Sequence, residues 1–198
     1  MSHAEAEKSL ECIKRLQEGD RCAFDELVVM YKKRAFSLVF NILGNVEDAK
    51  DIVQEGFLRV YTGIKSFRGD AKFLTWFYRI LINLARDYIR KRIRSRKLFC
   101  SFESTQEKEE DANPPEPGDE TLNPGKLVLN KELGLLLDRA VSELPGNPRT
   151  AFCMKYYEGM KIEEISKILE CRASTVKVHL FRAAQALQCK LEPYLKKS

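Results

Sequence analysis

The chain has 198 residues, enough for one large or two small domains, with 34 Lys and Arg against 29 Asp and Glu and a formal net charge of +5. No apolar run approaches the roughly 20 residues that span a bilayer, and the polar, partly acidic stretch Met1–Glu11 is unlike a signal peptide, so no membrane insertion is expected and a cytoplasmic protein is predicted. Cys12, Cys22, Cys100, Cys153, Cys171 and Cys189 include no CxxC pair, and His3 and His179 lie far apart; this argues against a zinc centre and a thioredoxin motif, and predicts small apolar, reduced cysteines with no metal and no cofactor.

The first helix signal runs from about Arg21 to Leu43, where Phe24, Leu27, Val28, Tyr31, Ala35, Leu38, Val39 and Ile42 follow the helical period and Gly44 with Asn45 stops the run. A second helix spans about Val46–Thr62. Its Asp48, Asp51 and Glu55 fall at three- and four-residue steps and share a face with the character of a metal site, a dock for a basic partner or a solvated surface. No catalytic nucleophile, histidine base or glycine-rich phosphate loop accompanies them, so no enzyme is expected. Gly63–Lys72 reads as a turn-rich loop holding Phe67, Arg68, Gly69 and Asp70.

An aromatic, basic helix follows, carrying Phe73, Trp76, Phe77, Tyr78, Arg79, Asn83, Arg86, Tyr88, Arg90, Lys91 and Arg92. Cations of this kind hold phosphates, while flat rings stack on bases that have left the duplex. The spacing of Phe73, Phe77, Ile80, Leu81, Leu84 and Tyr88 also makes an apolar stripe, so most of these rings belong to a core and the polar side beside them is left for binding. Between Arg86 and Lys97 there are seven basic residues against Asp87 alone, whereas Glu103–Glu120 carries eight acids against Lys108. With Pro114, Pro115, Pro117 and Pro124, residues 99–125 read as a flexible acidic linker between domains over 1–98 and 126–198.

Beyond the linker, Lys126–Leu144 reads as a helix, Pro145 and Pro148 as a turn, and Arg149–Tyr157 as a short helix ended by Gly159. Lys161–Leu169 and Ser174–Leu187 are two helices joined by Glu170–Ala173, the spacing of a helix-turn-helix or of a plain helical hairpin. Ser174 is placed as the N-cap, and Val176, Leu180, Ala183, Ala184 and Leu187 as the buried face. Thr175, Lys177, Val178, Phe181 and Arg182 then lie where a recognition helix meets base edges. With no alternating stretch long enough for a strand, both domains are predicted to be all-α.

These residues also carry a family resemblance. Asp48-Ala49-Lys50-Asp51-Ile52-Val53-Gln54-Glu55-Gly56-Phe57, Phe67-Arg68-Gly69-Asp70 and Thr75-Trp76-Phe77-Tyr78-Arg79-Ile80 resemble region 2 of the extracytoplasmic-function (ECF) sigma factors of the sigma-70 family, and Tyr157-Glu158-Gly159-Met160 with Ser174-Thr175-Val176-Lys177-Val178-His179-Leu180-Phe181-Arg182-Ala183 resemble their region 4. The pattern is similar to that of the envelope-stress sigma-E group. The resemblance implies two helical domains and a transcription-initiation role with core RNA polymerase, promoter DNA and an anti-sigma factor as partners. It places polymerase binding on Asp48, Asp51, Gln54, Glu55 and Phe57. It places recognition of an opened −10 element on Lys65, Phe67, Arg68, Lys72, Trp76, Arg79, Asn83 and Arg86, and −35 recognition on Thr175, Lys177, Val178, Phe181 and Arg182. Val178 and His179 stand where close family members often carry a small polar or a basic residue, so no −35 sequence preference is carried over.

Overall fold

The computed structural model describes residues 3–69, 72–99 and 134–195. The linker expected over 99–125 lies outside them beyond Phe99, as do Asp70, Cys100 and the first part of the helix expected from Lys126. Every regular element among the described residues is helical, and two compact units are distinguished.

The N-terminal unit contains α1 (His3–Gln17), α2 (Cys22–Leu43), α3 (Val46–Gly63) and α4 (Phe73–Phe99), with a 3-10 turn at Ile64–Ser66. The sequence reading did not anticipate α1, because its surroundings are polar and, among its described side chains, only Ser9, Cys12, Ile13 and Leu16, three or four residues apart, are buried. Arg15 clamps α1 to α2: Nε and Nη2 donate to Asp20 Oδ2 at 2.9 and 2.7 Å, and Nη1 donates to Glu26 Oε1 at 2.8 Å. Asp20 Oδ1 in turn accepts from the backbone N–H of Cys22 at 2.9 Å, serving the start of α2 where Arg21 makes no side-chain cap. The Arg15 hydrogen bonds hold both carboxyls below their usual range. Their contribution to stability is therefore present at neutral pH and is lost as the pH falls through the depressed values.

Gly44 ends α2 in the left-handed conformation, φ 73°, with its N–H donating to the Phe40 carbonyl at 2.8 Å. Asn45, expected only as part of that stop, also caps α3 by accepting from the Asp48 N–H at 3.0 Å. Helices α2, α3 and α4 then bury Leu27, Leu38, Val39, Val60, Phe77, Tyr78 and Leu81 to below 2% exposure, each worth roughly 1.5–3 kcal/mol for a large apolar side chain. The Phe77 ring stands 4.8 Å from Phe57 and 6.5 Å from Tyr31. Beside them, a Cβ on Gly56 would lie 2.4 Å from Leu81 Cδ2, so a side chain at that point of α3 requires the end of Leu81 to move.

The C-terminal unit contains α5 (134–142), α6 (Gly146–Phe152), α7 (Ile162–Leu169) as far as Ser166, and α8 (Ala173–Leu195). Pro145 is the N-cap of α6 and Pro148 sits in its first turn, where a missing N–H costs no helical bond. The helix expected over Arg149–Tyr157 thus begins earlier, and its second half, Cys153–Tyr157, widens into a π-turn in which the Glu158 N–H donates to the Cys153 carbonyl at 3.1 Å. Gly159, φ 65°, ends it as expected. Tyr157 donates to Asp138 Oδ1 at 2.8 Å, and Lys190 of α8 pairs with Glu143. All five described cysteines are free; Cys12 and Cys153 are buried, Cys171 is half-buried, and Cys22 and Cys189 are exposed. Burial pushes the Cys153 thiol up to about 12.

Gly56→Ala is expected to destabilise the N-terminal unit by up to about 2 kcal/mol, overpacking against Leu81 being partly offset by the ~1 kcal/mol that Ala gains over Gly inside a helix, with helical content unchanged. Urea unfolding followed by the emission of Trp76, the single tryptophan, measures it; a wild-type midpoint would show that Leu81 yields freely.

Candidate nucleic-acid interface

The first half of α4 is buried over most of its circumference: Phe73, Leu74, Thr75, Phe77, Tyr78, Leu81, Ile82, Leu84 and Ala85 are all below 9% exposed. The inward set is wider than the predicted stripe and takes in Tyr78, while Ile80 and Tyr88 are only half-buried. Of the rings in the aromatic, basic run, Phe73, Phe77 and Tyr78 are core, and Trp76 is left at the edge. Trp76, Arg79, Asn83 and Arg86 follow at steps of three, four and three, which places them on one side of the helix. Arg79 is exposed there, and Trp76, Asn83 and Arg86 are half-buried.

The loop before α4 adds Lys65, Arg68 and Lys72, all exposed. Phe67 differs from the expected pattern: its side chain is buried, with its ring 5.2 Å from Trp76 and 6.0 Å from Phe73. It supports the loop and the Trp76 ring from beneath, because burying an aromatic there removes apolar area that the exposed cations around it would leave wet. The Lys72 carbonyl opens α4 by accepting from Thr75 and Trp76 at 2.9 and 3.2 Å.

On α3 the acidic residues separate. Asp51 and Gln54 are exposed, and half-buried Glu55 accepts from Arg59 Nε at 2.9 Å. Asp48 instead turns toward α4, with its side chain 22% exposed, Arg92 at 3.5 Å, and a hydrogen bond from the Tyr88 phenol. Burial, then that bond, raises the Tyr88 pKa. Phe57 is 6% exposed and belongs to the core, where its ring meets Phe77 and Phe24. Among the described residues no group of three or more His, Cys, Asp or Glu is arranged to hold a metal ion. Sequence reasoning missed Leu58, which is 55% exposed on the side of α3 that carries Asp51 and Gln54. Its signal was spacing, an apolar residue four after Gln54 and seven after Asp51.

In the C-terminal unit, Ile165 of α7 and Val176, Ala183 and Leu187 of α8 are buried. Glu164 Oε2 accepts from the Lys161 N–H at 3.0 Å while the Lys161 carbonyl accepts from Glu164 and Ile165, half of a capping box at the start of α7. The connecting turn places Glu170 at φ 54°. Helix α8 begins one residue earlier than predicted: the Arg172 carbonyl accepts from Thr175 and Val176 at 2.9 and 3.2 Å, so Ser174 lies inside the first turn and is not the N-cap. Ala184 is exposed and Leu180 half-buried, which narrows the predicted inward face. Lys177, Val178, Phe181 and Arg182 are exposed, the last two a turn beyond the first, with Thr175 half-buried beside them. Phe181 at 63% and Val178 at 45% exposure put apolar surface among cations, a mixture suited to thymine methyls and phosphates.

Comparison with known proteins identifies the family. Residues 27–95 match sigma-70 region 2 and residues 134–187 match sigma-70 region 4. The chain is 32% identical to the RNA polymerase sigma-H factor of Pseudomonas aeruginosa over 97% of this chain and 98% of that one. It is 35% identical to the ECF RNA polymerase sigma-E factor of Escherichia coli over 93% and 95%. In fold it is similar to the sigma factor RpoE of Bartonella quintana, solved with the anti-sigma factor NepR, with a TM-score of 0.68 and 20% identity over 85% of this chain and 96% of that one. CnrH, solved with the cytosolic domain of CnrY, gives a TM-score of 0.61 and 19% identity over 94% and 98%. The chain belongs to the ECF sigma factors of the sigma-70 family. Sigma factors bind core RNA polymerase and promoter DNA as transcription initiation factors and are not enzymes. Among the described residues no helix is long and apolar enough to cross a membrane.

Asp48→Ala is expected to destabilise the N-terminal unit by about 1 kcal/mol, since it strands the Tyr88 hydroxyl and half-exposed Arg92. Asp51→Ala should stay within about 0.5 kcal/mol of wild type. Urea midpoints measured side by side test the contrast, and equal midpoints would remove the structural role of Asp48.

Proposed function

We propose that this sigma factor directs core RNA polymerase to promoters with −35 and −10 elements in the cytoplasm, in a stress response, under the control of an anti-sigma factor. The observation that carries this reading is the outward strip on the first half of α4, Trp76, Arg79, Asn83 and Arg86, set beside the loop cations Lys65, Arg68 and Lys72. A strip of that composition suits an unpaired −10 strand. Opening DNA costs a few kcal/mol per unstacked step, and the captured bases must regain stacking from a ring and hydrogen bonds from an amide while cations hold the backbone. Trp76 supplies the ring and Asn83 the amide; Phe67 acts from below by holding the loop. Helix α8 reads the −35 element through Thr175, Lys177, Val178, Phe181 and Arg182.

Polymerase docking falls to the exposed part of α3. Asp51, Gln54 and Glu55 form a polar rim beside Leu58, the composition of an interface with an apolar centre and charged edge. Asp48 and Phe57 serve this face indirectly, from the α4 contact and from the core. Region 2 is assigned to 1–98, a linker to 99–125 and region 4 to 126–198, bounds within which the two family matches lie. Control by an anti-sigma factor is supported by the RpoE–NepR complex of B. quintana, and a stress role by the kinship with sigma-E factors.

Asp51→Arg is expected to weaken core polymerase binding at least tenfold, because the reversed charge meets a basic partner surface. A quantitative pull-down with folded variant checks this, and wild-type affinity would refute the docking assignment. Asn83→Ala should leave core binding and closed complexes intact while lowering open complex, read by permanganate reactivity of melted thymines. A pre-melted −10 bubble should recover the part of the loss that arises from melting; wild-type opening on duplex DNA would exclude the role given to Asn83.

A further inference from the structure

Gln17, the last residue of α1, lies before the region 2 match, which begins at residue 27. Its Nε2 donates to two carbonyls, Ile64 O and Phe67 O, each at 2.9 Å and across 47 and 50 residues of chain. These two carbonyls bracket Lys65 and Ser66 and immediately precede Arg68. Within the loop the Phe67 N–H donates to Ile64 O at 3.0 Å, Ser66 Oγ donates to Gly63 O at 2.7 Å, and Gly69 takes φ 80°. A primary amide has two N–H donors on one nitrogen, so a single glutamine can satisfy two acceptors that a short 3-10 turn leaves partly unpaired. Gln17 is itself held, because Arg15, two residues earlier, is fixed on Asp20 and Glu26.

We propose that Gln17 is a positioning residue for −10 recognition: by clasping Ile64 O and Phe67 O it sets the loop that aims Lys65 and Arg68, and it seats the Phe67 ring 5.2 Å from Trp76. This rests on the reading that the loop meets the −10 element. From the end of α1, Gln17 reaches the loop through two backbone carbonyls and not through the cations themselves. The charge on the loop comes from one part of the chain and its placement from another.

Two full-length variants test it: Gln17→Met keeps the length of the side chain without a donor, and Gln17→Glu keeps its shape but faces two carbonyls with a carboxylate. Each is assembled with core polymerase and titrated with fork DNA carrying a single-stranded −10 element, beside Arg68→Ala as a control. Emission of Trp76, the single tryptophan, is recorded on the free proteins. The expected result for both Gln17 variants is unchanged affinity for core, roughly tenfold weaker fork binding from two lost hydrogen bonds, altered preference among −10 bases, and a shifted Trp76 emission. Should one variant fail to fold, the other carries the test. Wild-type fork affinity in a folded variant overturns the proposal, as does a loss of binding with Trp76 emission unchanged, or an equal loss on DNA lacking a −10 element. If Arg68→Ala weakens fork binding and the Gln17 variants do not, the inference about Gln17 fails alone. If all three bind as wild type, the loop reading fails with it.

Discussion

The contact of α3 with α4 at Gly56 and Leu81 is the constraint on which the N-terminal unit depends. With no Cβ on α3 at that point, Leu81 fills the space a side chain would occupy, and the rings of Phe57 and Phe77 meet 4.8 Å apart beside it. Once these faces are joined, the outward residues of each helix are determined by its 3.6-residue period. Asp51, Gln54 and Leu58 are left outside on α3, and the Trp76, Arg79, Asn83, Arg86 strip is left outside on α4. An acidic, partly apolar surface and a cationic, amide-bearing one are thereby held by a single core.

Charge alone does not make a residue available to a partner. Asp48, Asp51 and Glu55 look equivalent on a helical wheel, yet Asp48 is drawn to Arg92 and Tyr88, Glu55 to Arg59, and Asp51 remains exposed. Each of the first two can meet a new partner only in competition with a bond it already has. Asp48 is the costlier to detach, because its side chain is 22% exposed against 43% for that of Glu55 and it holds both Arg92 and the phenol of half-buried Tyr88. The same logic separates the aromatics: Phe67 and Trp76 belong to one cluster, but burial commits Phe67 to the fold and leaves Trp76 at the edge.

Clasps from outside the α2–α4 core complete the arrangement. Arg15 fastens α1 to α2 through two carboxylates, and Gln17 extends from the same helix end to the loop before α4. Neither residue carries a signal that periodicity would detect, since one is a cation and the other an amide in a polar segment.

By itself the sequence determined the helical class, the stop at Gly44, the core positions Leu27, Leu38, Phe77 and Leu81, and the outward placement of Lys177, Val178, Phe181 and Arg182. These follow from local period and from backbone preferences, which act within a few residues. Its order of motifs was also enough to point to the sigma-factor family. The tertiary structure alone decided that α1 forms and packs, that Phe57, Phe67 and Tyr78 are core, that Arg172 rather than Ser174 precedes α8, and that Asp48 faces α4. Each of these depends on what stands opposite a residue across tens of positions, and a helical period fixes a residue's side of its own helix without fixing what that side will meet.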